Sequence, residues 1–190
     1  MNAVFEPRFR VTVVTRWAVV FAAGLLLLCG TSSGENPMTF ELTSSEFQDG
    51  QKIPATYTAD GADHSPPLAW AAQPAGTVSL ALICDDPDAP RGTWVHWVLF
   101  DLRGDAHELP EHTPPDATLA NGAQQGKNDF GKLGYGGPAP PPGKAHRYFF
   151  KLYALDANLK LPAGATKDQV VKAMQGHVLG EARLLGKYQR

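Results

Sequence analysis

The sequence predicts a mainly β fold, and three observations support this prediction. The 190 residues include 19 glycines and 16 prolines, a supply of turn formers that favours many short elements joined by tight loops. Three stretches rich in apolar, β-branched or aromatic residues lack a helical period and have the length of strands. One amphipathic helix is evident, near the end of the chain. Apolar residues (43%) and charged residues (19%) are present in globular proportions.

The first 34 residues have the pattern of an export signal. Arg8, Arg10 and Arg16 form a positive region, and an apolar run over residues 17–28 follows, which is short for a membrane span. We expect residues 1–34 to be an export signal and short tether, and residues 35–190 to be the mature domain, periplasmic or secreted. A retained anchor and a misassigned start codon are alternatives. Acylation of Cys29 is disfavoured, because Leu28 is bulkier than the small residue usual before a lipoprotein cysteine.

The charge of the mature chain bears on its partners. Without residues 1–34 the chain has 14 basic and 18 acidic residues, a net charge of −4. No basic block or stripe is present, so nucleic-acid binding has no electrostatic basis. We therefore expect a soluble protein without stable membrane insertion after signal cleavage. Cys29 and Cys84 form no disulfide framework, and Cys84 is expected to be a small buried core residue.

Strands are predicted in order along the mature chain. An alternating pattern predicts an opening strand at residues 39–43, and residues 44–66 have turn chemistry before a short strand at 68–70. The apolar run 78–84 predicts a buried strand, and 93–102 and 146–155 predict two further strands. The connection 103–145 is long enough to be functional or to contain short elements. A final strand is predicted within 177–188.

The helix is predicted from its capping residues and its apolar face. Thr166 and Gln169 have the spacing of a capping box, in which each side chain satisfies a free backbone N–H group of the first turn. Val170 and Met174 lie one helical turn apart on one face. Gly176 is a suitable stop.

Two candidate functional segments flank the central predicted strands. The sequence Asp-Asp-Pro-Asp-Ala-Pro at residues 85–90 follows the buried strand, and its two prolines hold the carboxylates on a rigid turn. His96 lies within the aromatic strand, where alternation predicts that Trp94, His96 and Val98 share one face, and that Val95, Trp97 and Leu99 share the other. Taken alone, residues 85–90 are more often an acidic surface turn, and a lone strand histidine such as His96 is more often a half-buried residue without a functional role.

A third candidate is the Gly-Pro segment at residues 134–143. Its glycines permit close backbone approach to a ligand, and its prolines stiffen the chain. His146 and Tyr148 follow and are expected on one side of the next strand.

Together these motifs resemble the phosphatidylethanolamine-binding family, in its bacterial Raf-kinase-inhibitor-like branch. The resemblance covers residues 38–190 and lies in the following segments: Asp86-Pro87-Asp88-Ala89-Pro90, His96-Trp97, Gly137-Pro138 with Pro140-Pro141, His146-Arg147-Tyr148, the stretch 65–70 and the tail 177–188. It implies a large antiparallel sheet packed with a smaller one, with peripheral helices. It also implies non-enzymatic binding of a small anion, such as phosphate or a phospholipid headgroup, without a cofactor. The implied ligand-binding residues are Asp86, Asp88, Pro90, His96, Gly137, Pro138, His146 and Tyr148.

The residue types agree with anion binding. Two imidazoles offer N–H donors, a nearby Asp86 favours their charged forms, and the backbone N–H groups of Gly136 and Gly137 can add donors. Asp86 would repel a phosphate dianion unless it pairs with histidine, accepts from a protonated phosphate or meets an ammonium group. We expect the affinity for phosphate to rise as the pH falls toward 6.

Other functions are weighed against this one. A hydrolase built from Ser65, a histidine and Asp86 lacks a nucleophile elbow, and Pro66 removes one oxyanion donor. A metal site of His96, His146 and Asp86 has ligand types that suit zinc. A kinase or protease inhibitor acting by protein–protein contact and a homodimer are further alternatives, and family resemblance alone supports them weakly.

Overall fold

The computed structural model describes residues 39–190, so the predicted export signal lies outside the described residues. This part of the chain contains nine strands, one α-helix (α1) and a 3-10 turn at Ala55–Tyr57. The strands are β1 Glu41–Thr43, β2 Gln51–Lys52, β3 Leu68–Ala71, β4 Ser79–Asp86, β5 Trp94–Arg103, β6 Glu108–Leu109, β7 Gln124–Gln125, β8 His146–Leu155 and β9 Val178–Tyr188; α1 is Lys167–Ala173. Within residues 39–190, no helix combines the length and apolarity needed to cross a bilayer.

The strands form two sheets. The six-stranded sheet has the order β2-β9-β8-β4-β5-β7, and the three-stranded sheet has the order β1-β3-β6. This confirms the mainly β prediction of a large sheet with a smaller one. The large sheet is antiparallel except at one edge, where β2 pairs with β9 in parallel.

The main core fills the space between the two sheets. The small sheet contributes Leu42, Leu68 and Trp70, and the large sheet contributes residues that include Trp97 and Phe150. A second core lies on the other face of the large sheet, where Val170 and Met174 of α1 pack against β4 and β5. Because β4 is covered on both faces, all eight of its residues are buried, and its sequence is a continuous apolar run before the two aspartates.

The principal strand predictions are confirmed, as is the helix. The amide of Gln169 donates to Thr166 Oγ1, and the amide of Thr166 donates to Gln169 Oε1, which completes the capping box. Cys84 is buried and free. The two-residue strands β2, β6 and β7 were not predicted, since so short a segment has no measurable period. The long connection 103–145 does contain short elements, including β6 and β7.

The end of β4 differs from the prediction. The strand continues through Asp85 and Asp86, which were expected in the following turn. Both carboxylates are buried, and both have partners that make burial tolerable. Asp85 binds Lys151 Nζ at 2.9 Å and also binds Nζ of Lys167, the first residue of α1. Asp86 points to the opposite face, where it helps to form the candidate site.

Candidate functional site

A cavity of about 320 Å³ lies at one end of the strands of the large sheet, where β4 ends and where β5 and β8 begin. We call it the His–Tyr cavity. Its wall is formed by the end of β4 and the turn after it, the first residues of β5, the first residues of β8, the Gly-Pro segment and the loop residue Phe130. Its lining residues are Asp86, Ala89, Pro90, Arg91, Trp94, His96, Phe130, Ala139, Pro140, Pro141, His146 and Tyr148.

A β-bulge in β5 turns His96 toward this cavity. The pairing of β4 with β5 passes from Cys84↔Trp97 directly to Asp85↔Val95, so His96 is the additional residue. The bulge interrupts the side-chain alternation. Trp94 and His96 share a face, as predicted, and both line the cavity, but Val98 packs into the second core, because the bulge at His96 shifts the alternation after it.

The same bulge separates Val95 from Trp97 and Leu99. The three were predicted to share a face. Instead, Val95 belongs to the second core, while Trp97 and Leu99 belong to the main core. The prediction was wrong because a period of two holds only where the pairing is regular.

Asp86 and His146 form a buried pair on the cavity wall. Asp86 Oδ2 lies 2.7 Å from His146 Nδ1, and Asp86 Oδ1 accepts the amide of Asp88 at 2.8 Å. Because a carboxylate can only accept, the geometry assigns the proton to Nδ1 of His146. The Nε2 atom of His146 is thereby left for a ligand.

His96 is held differently. Its Nδ1 lies 2.6 Å from the carbonyl oxygen of Gly136, so Nδ1 carries the proton and donates. Burial lowers the pKa of His96, although the Gly136 carbonyl and the Asp86 charge oppose this effect. His96 is therefore neutral at pH 7, and its Nε2 accepts hydrogen bonds. This differs from the expectation that both imidazoles offer donors.

The hydroxyl of Tyr148 is the most informative atom of the cavity. Tyr148 is 1% exposed, and within residues 39–190 its hydroxyl is the one buried side-chain polar atom without a hydrogen-bond partner. Its ring meets that of His96 edge-on, with centroids 5.1 Å apart. Burial, followed by the Asp86 charge, raises the pKa of Tyr148, so the hydroxyl remains a donor. A buried donor without a partner is energetically costly, and a ligand acceptor would remove that cost.

Gly137 and Pro138 were predicted to bind the ligand, but they do not line the cavity. The amide of Gly136 donates to the His96 carbonyl at 2.9 Å, and that of Gly137 donates to Asp63 Oδ1 at 2.6 Å. Neither amide remains for an anion. The wall is formed instead by Ala139, Pro140 and Pro141, which come immediately after.

Position 137 requires glycine for a steric reason. A Cβ there would lie 2.6 Å from Asp63 Oδ1 and 2.8 Å from the Cα of Thr58. The backbone can therefore pass close to the neighbouring loop only without a side chain. This close approach fixes the wall that follows.

Asp88 was also predicted to line the pocket, but it faces Arg147. Its carboxylate accepts from Nε and Nη2 of Arg147, each at 2.8 Å, and from the Arg147 amide at 3.0 Å. These hydrogen bonds lower the pKa of Asp88 to about 2. Asp88 thus fastens the turn after β4 to the start of β8, and it positions the wall without touching the cavity.

Several lining residues were not identified from the sequence. Arg91 lines the cavity and follows Pro90 directly. Its position beside the acidic turn could therefore have identified it as a lining residue. Trp94 lies two residues before His96 in the same strand, and this spacing could have identified it as a lining residue. Phe130 makes edge contacts with both Trp94 (5.4 Å) and His96 (5.3 Å), but nothing near it in sequence indicated this.

The alternative constellations can be compared with this geometry. Ser65 is buried, and its Oγ accepts the amide of Thr113 at 2.8 Å; it does not line the cavity with the histidines. The predicted Ser–His–Asp arrangement is therefore not assembled. Across residues 39–190, no group of three His, Cys, Asp or Glu side chains is arranged to hold a metal ion. His64, which precedes Ser65, stacks on His112 with ring centroids 3.8 Å apart.

Comparison with known proteins agrees with this fold and with the motifs that build the cavity. The family model for the phosphatidylethanolamine-binding protein matches residues 43–189. The chain belongs to the phosphatidylethanolamine-binding protein family. The match spans both sheets and every segment that lines the His–Tyr cavity.

Relatives of this phosphatidylethanolamine-binding family member occur in archaea and bacteria. A UPF0098 protein of Methanothermobacter thermautotrophicus is 54% identical over 149 residues, which cover 78% of this chain and 98% of the relative. A UPF0098 protein of Aquifex aeolicus is 47% identical over 152 residues, covering 79% of this chain and 88% of the relative.

Two crystal structures share the fold. The phosphatidylethanolamine-binding protein homologue CT736 of Chlamydia trachomatis superposes with a TM-score of 0.73 at 39% identity, covering 80% of this chain and 98% of that chain. YbcL of Escherichia coli superposes with a TM-score of 0.75 at 32% identity and the same coverage. The phosphatidylethanolamine-binding fold of this chain is therefore shown both by sequence and by structure.

Proposed function

We propose that this chain binds a small phosphate-type anion, free or as a phosphoethanolamine-like headgroup, in the His–Tyr cavity, and does so without catalysing a reaction. The observation that carries this proposal is the buried Tyr148 hydroxyl, a donor without a partner. An anionic oxygen placed against it would accept that hydrogen bond in a site sheltered from water, where charge-assisted bonds are strong.

The two histidines supply complementary contacts. His146 offers Nε2, because its Nδ1 is held by the Asp86 carboxylate, which also fixes the orientation of the ring. His96 offers an Nε2 that accepts, because its Nδ1 proton is committed to the Gly136 carbonyl. A monoprotonated phosphate suits this site, since its ionised oxygens can accept from Tyr148, while its P–OH group donates to the Nε2 atom of His96 or of His146.

Arg91 and the aromatic wall support the choice of ligand. The guanidinium of Arg91 contributes a positive charge that offsets the Asp86 carboxylate. Trp94 and Phe130 present aromatic surface, and an ammonium group is attracted to such faces. A zwitterionic phosphoethanolamine group therefore has favourable surroundings for both of its ends.

The proposal is tested by isothermal titration calorimetry with phosphoethanolamine and inorganic phosphate at pH 6. The variants His146→Gln and Tyr148→Phe are each expected to weaken binding about tenfold, because each variant loses one charge-assisted or buried hydrogen bond to the ligand. The proposal would be contradicted if the unmodified protein showed no saturable binding, or if all variants bound with the same affinity.

Two matched controls are present in the chain. His177→Gln removes an imidazole that pairs with Asp156 at the same 2.7 Å but is half exposed. Tyr153→Phe removes the hydroxyl of a half-buried tyrosine on the same strand, beside the second core. Both are expected to bind like the unmodified protein. An assay with generic ester substrates, run in parallel, is expected to show no turnover, and turnover abolished by His146→Gln would indicate an enzyme.

A further inference from the structure

A second cavity, of about 310 Å³, lies where β2 and β9 end and just before β8 begins. It is lined by Lys52, Ala145, Lys187, Tyr188, Gln189 and Arg190. We call it the lysine cavity. The side chains of its lining include three cations and no acidic group, which distinguishes it from the His–Tyr cavity with its buried Asp86.

The sheet pairing concentrates these positive charges. Arg147 on β8 is the register partner of Lys187 on β9, and Lys187 is the register partner of Lys52 on β2. Register partners in a sheet point to the same face, so three cations form a row across three strands. Like charges directly opposite each other repel, and an anion bound between them would remove that repulsion.

Two of the cations at this end of the sheet are neutralised by aspartates, and two are not. Asp88 pairs with Arg147, and Asp60 accepts from both Nε and Nη2 of Arg190. In the described part of the chain, Lys52 and Lys187 have no carboxylate partner. The Nζ atom of Lys52 lies 5.9 Å from the centre of the Tyr188 ring. Lys52 and Lys187 therefore add two positive side-chain charges that no acidic side chain balances, on a chain that is acidic as a whole.

The wall of the cavity is held in place by contacts of its own. The Tyr188 hydroxyl donates to Asp60 Oδ2 at 2.9 Å, and the Gly143 amide donates to the Arg190 carbonyl at 3.3 Å. Residues 188–190 are therefore fixed against the loop 140–145. Lys52 and Lys187 line the concave surface beside these residues.

We propose that the lysine cavity is a second anion site, which takes a phosphate-bearing small molecule between the ammonium groups of Lys52 and Lys187. Two ammonium groups match the charge of a phosphate dianion, and lysine binds phosphate as a point charge without the planar geometry that arginine requires. The site is independent of the His–Tyr cavity and makes no use of its histidines.

The test is an NMR titration of the full mature domain with sodium pyrophosphate, compared with sodium chloride at equal ionic strength. The backbone amides of Ala145 and Gln189 report on the lysine cavity, and those of His96 and Tyr148 report on the His–Tyr cavity. Saturable shifts at Ala145 and Gln189 are expected in the unmodified protein and in the Tyr148→Phe variant. Their absence from the unmodified protein would overturn the proposal, whatever happens at the His–Tyr cavity.

Two double variants that remove the same amount of charge distinguish specific binding in the lysine cavity from general electrostatic attraction of the anion. Lys52→Ala with Lys187→Ala is expected to weaken pyrophosphate binding at Ala145 and Gln189 at least tenfold. Lys127→Ala with Lys172→Ala, two exposed lysines outside the lining, is expected to leave it unchanged. Equal weakening by both pairs would show general attraction and overturn the proposal.

A thermal measurement checks the same site independently. Removal of both Lys52 and Lys187 is expected to raise the melting temperature of the ligand-free protein, because cross-strand repulsion is relieved. Pyrophosphate is expected to raise the melting temperature of the unmodified protein and not that of this double variant. An equal response of both proteins to pyrophosphate would count against the site.

Discussion

Asp86 Oδ2 lies 2.7 Å from His146 Nδ1, and this contact explains how a carboxylate can line the proposed anion site. The carboxylate is buried, and its other oxygen accepts the Asp88 amide. It therefore orients the imidazole, and each of its two oxygens already accepts a hydrogen bond from the protein.

The variant Asp86→Asn tests this role. An amide in place of the carboxylate leaves His146 without its ionic partner, so affinity for phosphoethanolamine at pH 6 is expected to fall about tenfold. Calorimetry measures the change. If Asp86 acted mainly by repelling the ligand, affinity would rise instead. Asp156→Asn, which alters the matching but exposed pair with His177, is the control and is expected to have no effect.

Replacement of Tyr148 by phenylalanine is expected to stabilise the ligand-free protein. The hydroxyl is buried without a partner, and removing it recovers about 1 kcal/mol of the free energy of unfolding. Urea denaturation in ligand-free buffer measures this gain. Tyr153→Phe is the control, since the Tyr153 hydroxyl is not among the buried atoms that lack partners. A loss of stability in Tyr148→Phe would mean that the hydroxyl has a partner, such as a bound water.

His96 makes stability depend on pH. Burial lowers its pKa in the folded state below 6.5, the usual value, which the unfolded chain retains. Below pH 6.5 the unfolded chain takes up a proton that the folded chain does not, so stability is expected to fall as the pH falls from 6.5 toward the folded-state pKa. Urea midpoints between pH 7.5 and 5 measure this effect. His96→Gln should flatten the profile, and a profile as steep as before would assign it to another group.

Ligand affinity is expected to change with pH in the opposite direction. A phosphomonoester has a second pKa of about 6, so more of the monoprotonated form is present as the pH falls from 8 to 6. This form can donate to the Nε2 atom of His96, which accepts. Calorimetric titration with phosphoethanolamine at pH 8, 7 and 6 is therefore expected to show increasing affinity. Constant affinity over this range would show that protonation of the ligand does not control binding.

Much of the fold was predictable because its long strands carry strong local signals. The apolar run of β4 and the aromatic runs of β5 and β8 are covered on both faces or pack against the main core, so their composition shows directly in the sequence. The two-residue strands depend on pairing with distant residues. The parallel contact of β2 with β9 joins segments more than 130 residues apart in the chain, and no local pattern encodes it.

The site was predicted in part for a similar reason. Five of the predicted residues lie at or beside strand ends that antiparallel pairing brings together, and all five line the His–Tyr cavity: Asp86, Pro90, His96, His146 and Tyr148. Their role in binding stays a prediction.

The three residues that do not line the cavity have partners that local sequence does not reveal. The partner of Asp88 is Arg147, 59 positions away, and the partner of the Gly137 amide is Asp63, 74 positions away. Pro138 is likewise buried, and its carbonyl accepts the amide of Ala59. Motif matching shows that such residues matter, but it does not show which neighbour each one contacts.

The buried carboxylate of Asp85 is expected to attach α1 to the large sheet. It binds Lys151 on β8 and Lys167 at the start of α1, on the face opposite the His–Tyr cavity. Asp85→Asn keeps the shape and removes the charge, which leaves two lysines without their counter-ion. Removing one partner of a fully buried pair costs about 3–5 kcal/mol. Both lysine side chains here are about one quarter exposed and can turn to solvent, so a smaller loss, about 2 kcal/mol, is expected.

Urea denaturation measures this loss, and hydrogen exchange locates it. Amides of α1 are expected to exchange faster in Asp85→Asn, because the helix loses its ionic contact with β4, while those of β8 and β9 change less. Asp156→Asn removes a half-exposed carboxylate and is expected to shift stability by less than about 0.5 kcal/mol. If both variants lost the same small amount, the Asp85 cluster would be no stronger than a surface ion pair, and the attachment of α1 would rest on Val170 and Met174 alone.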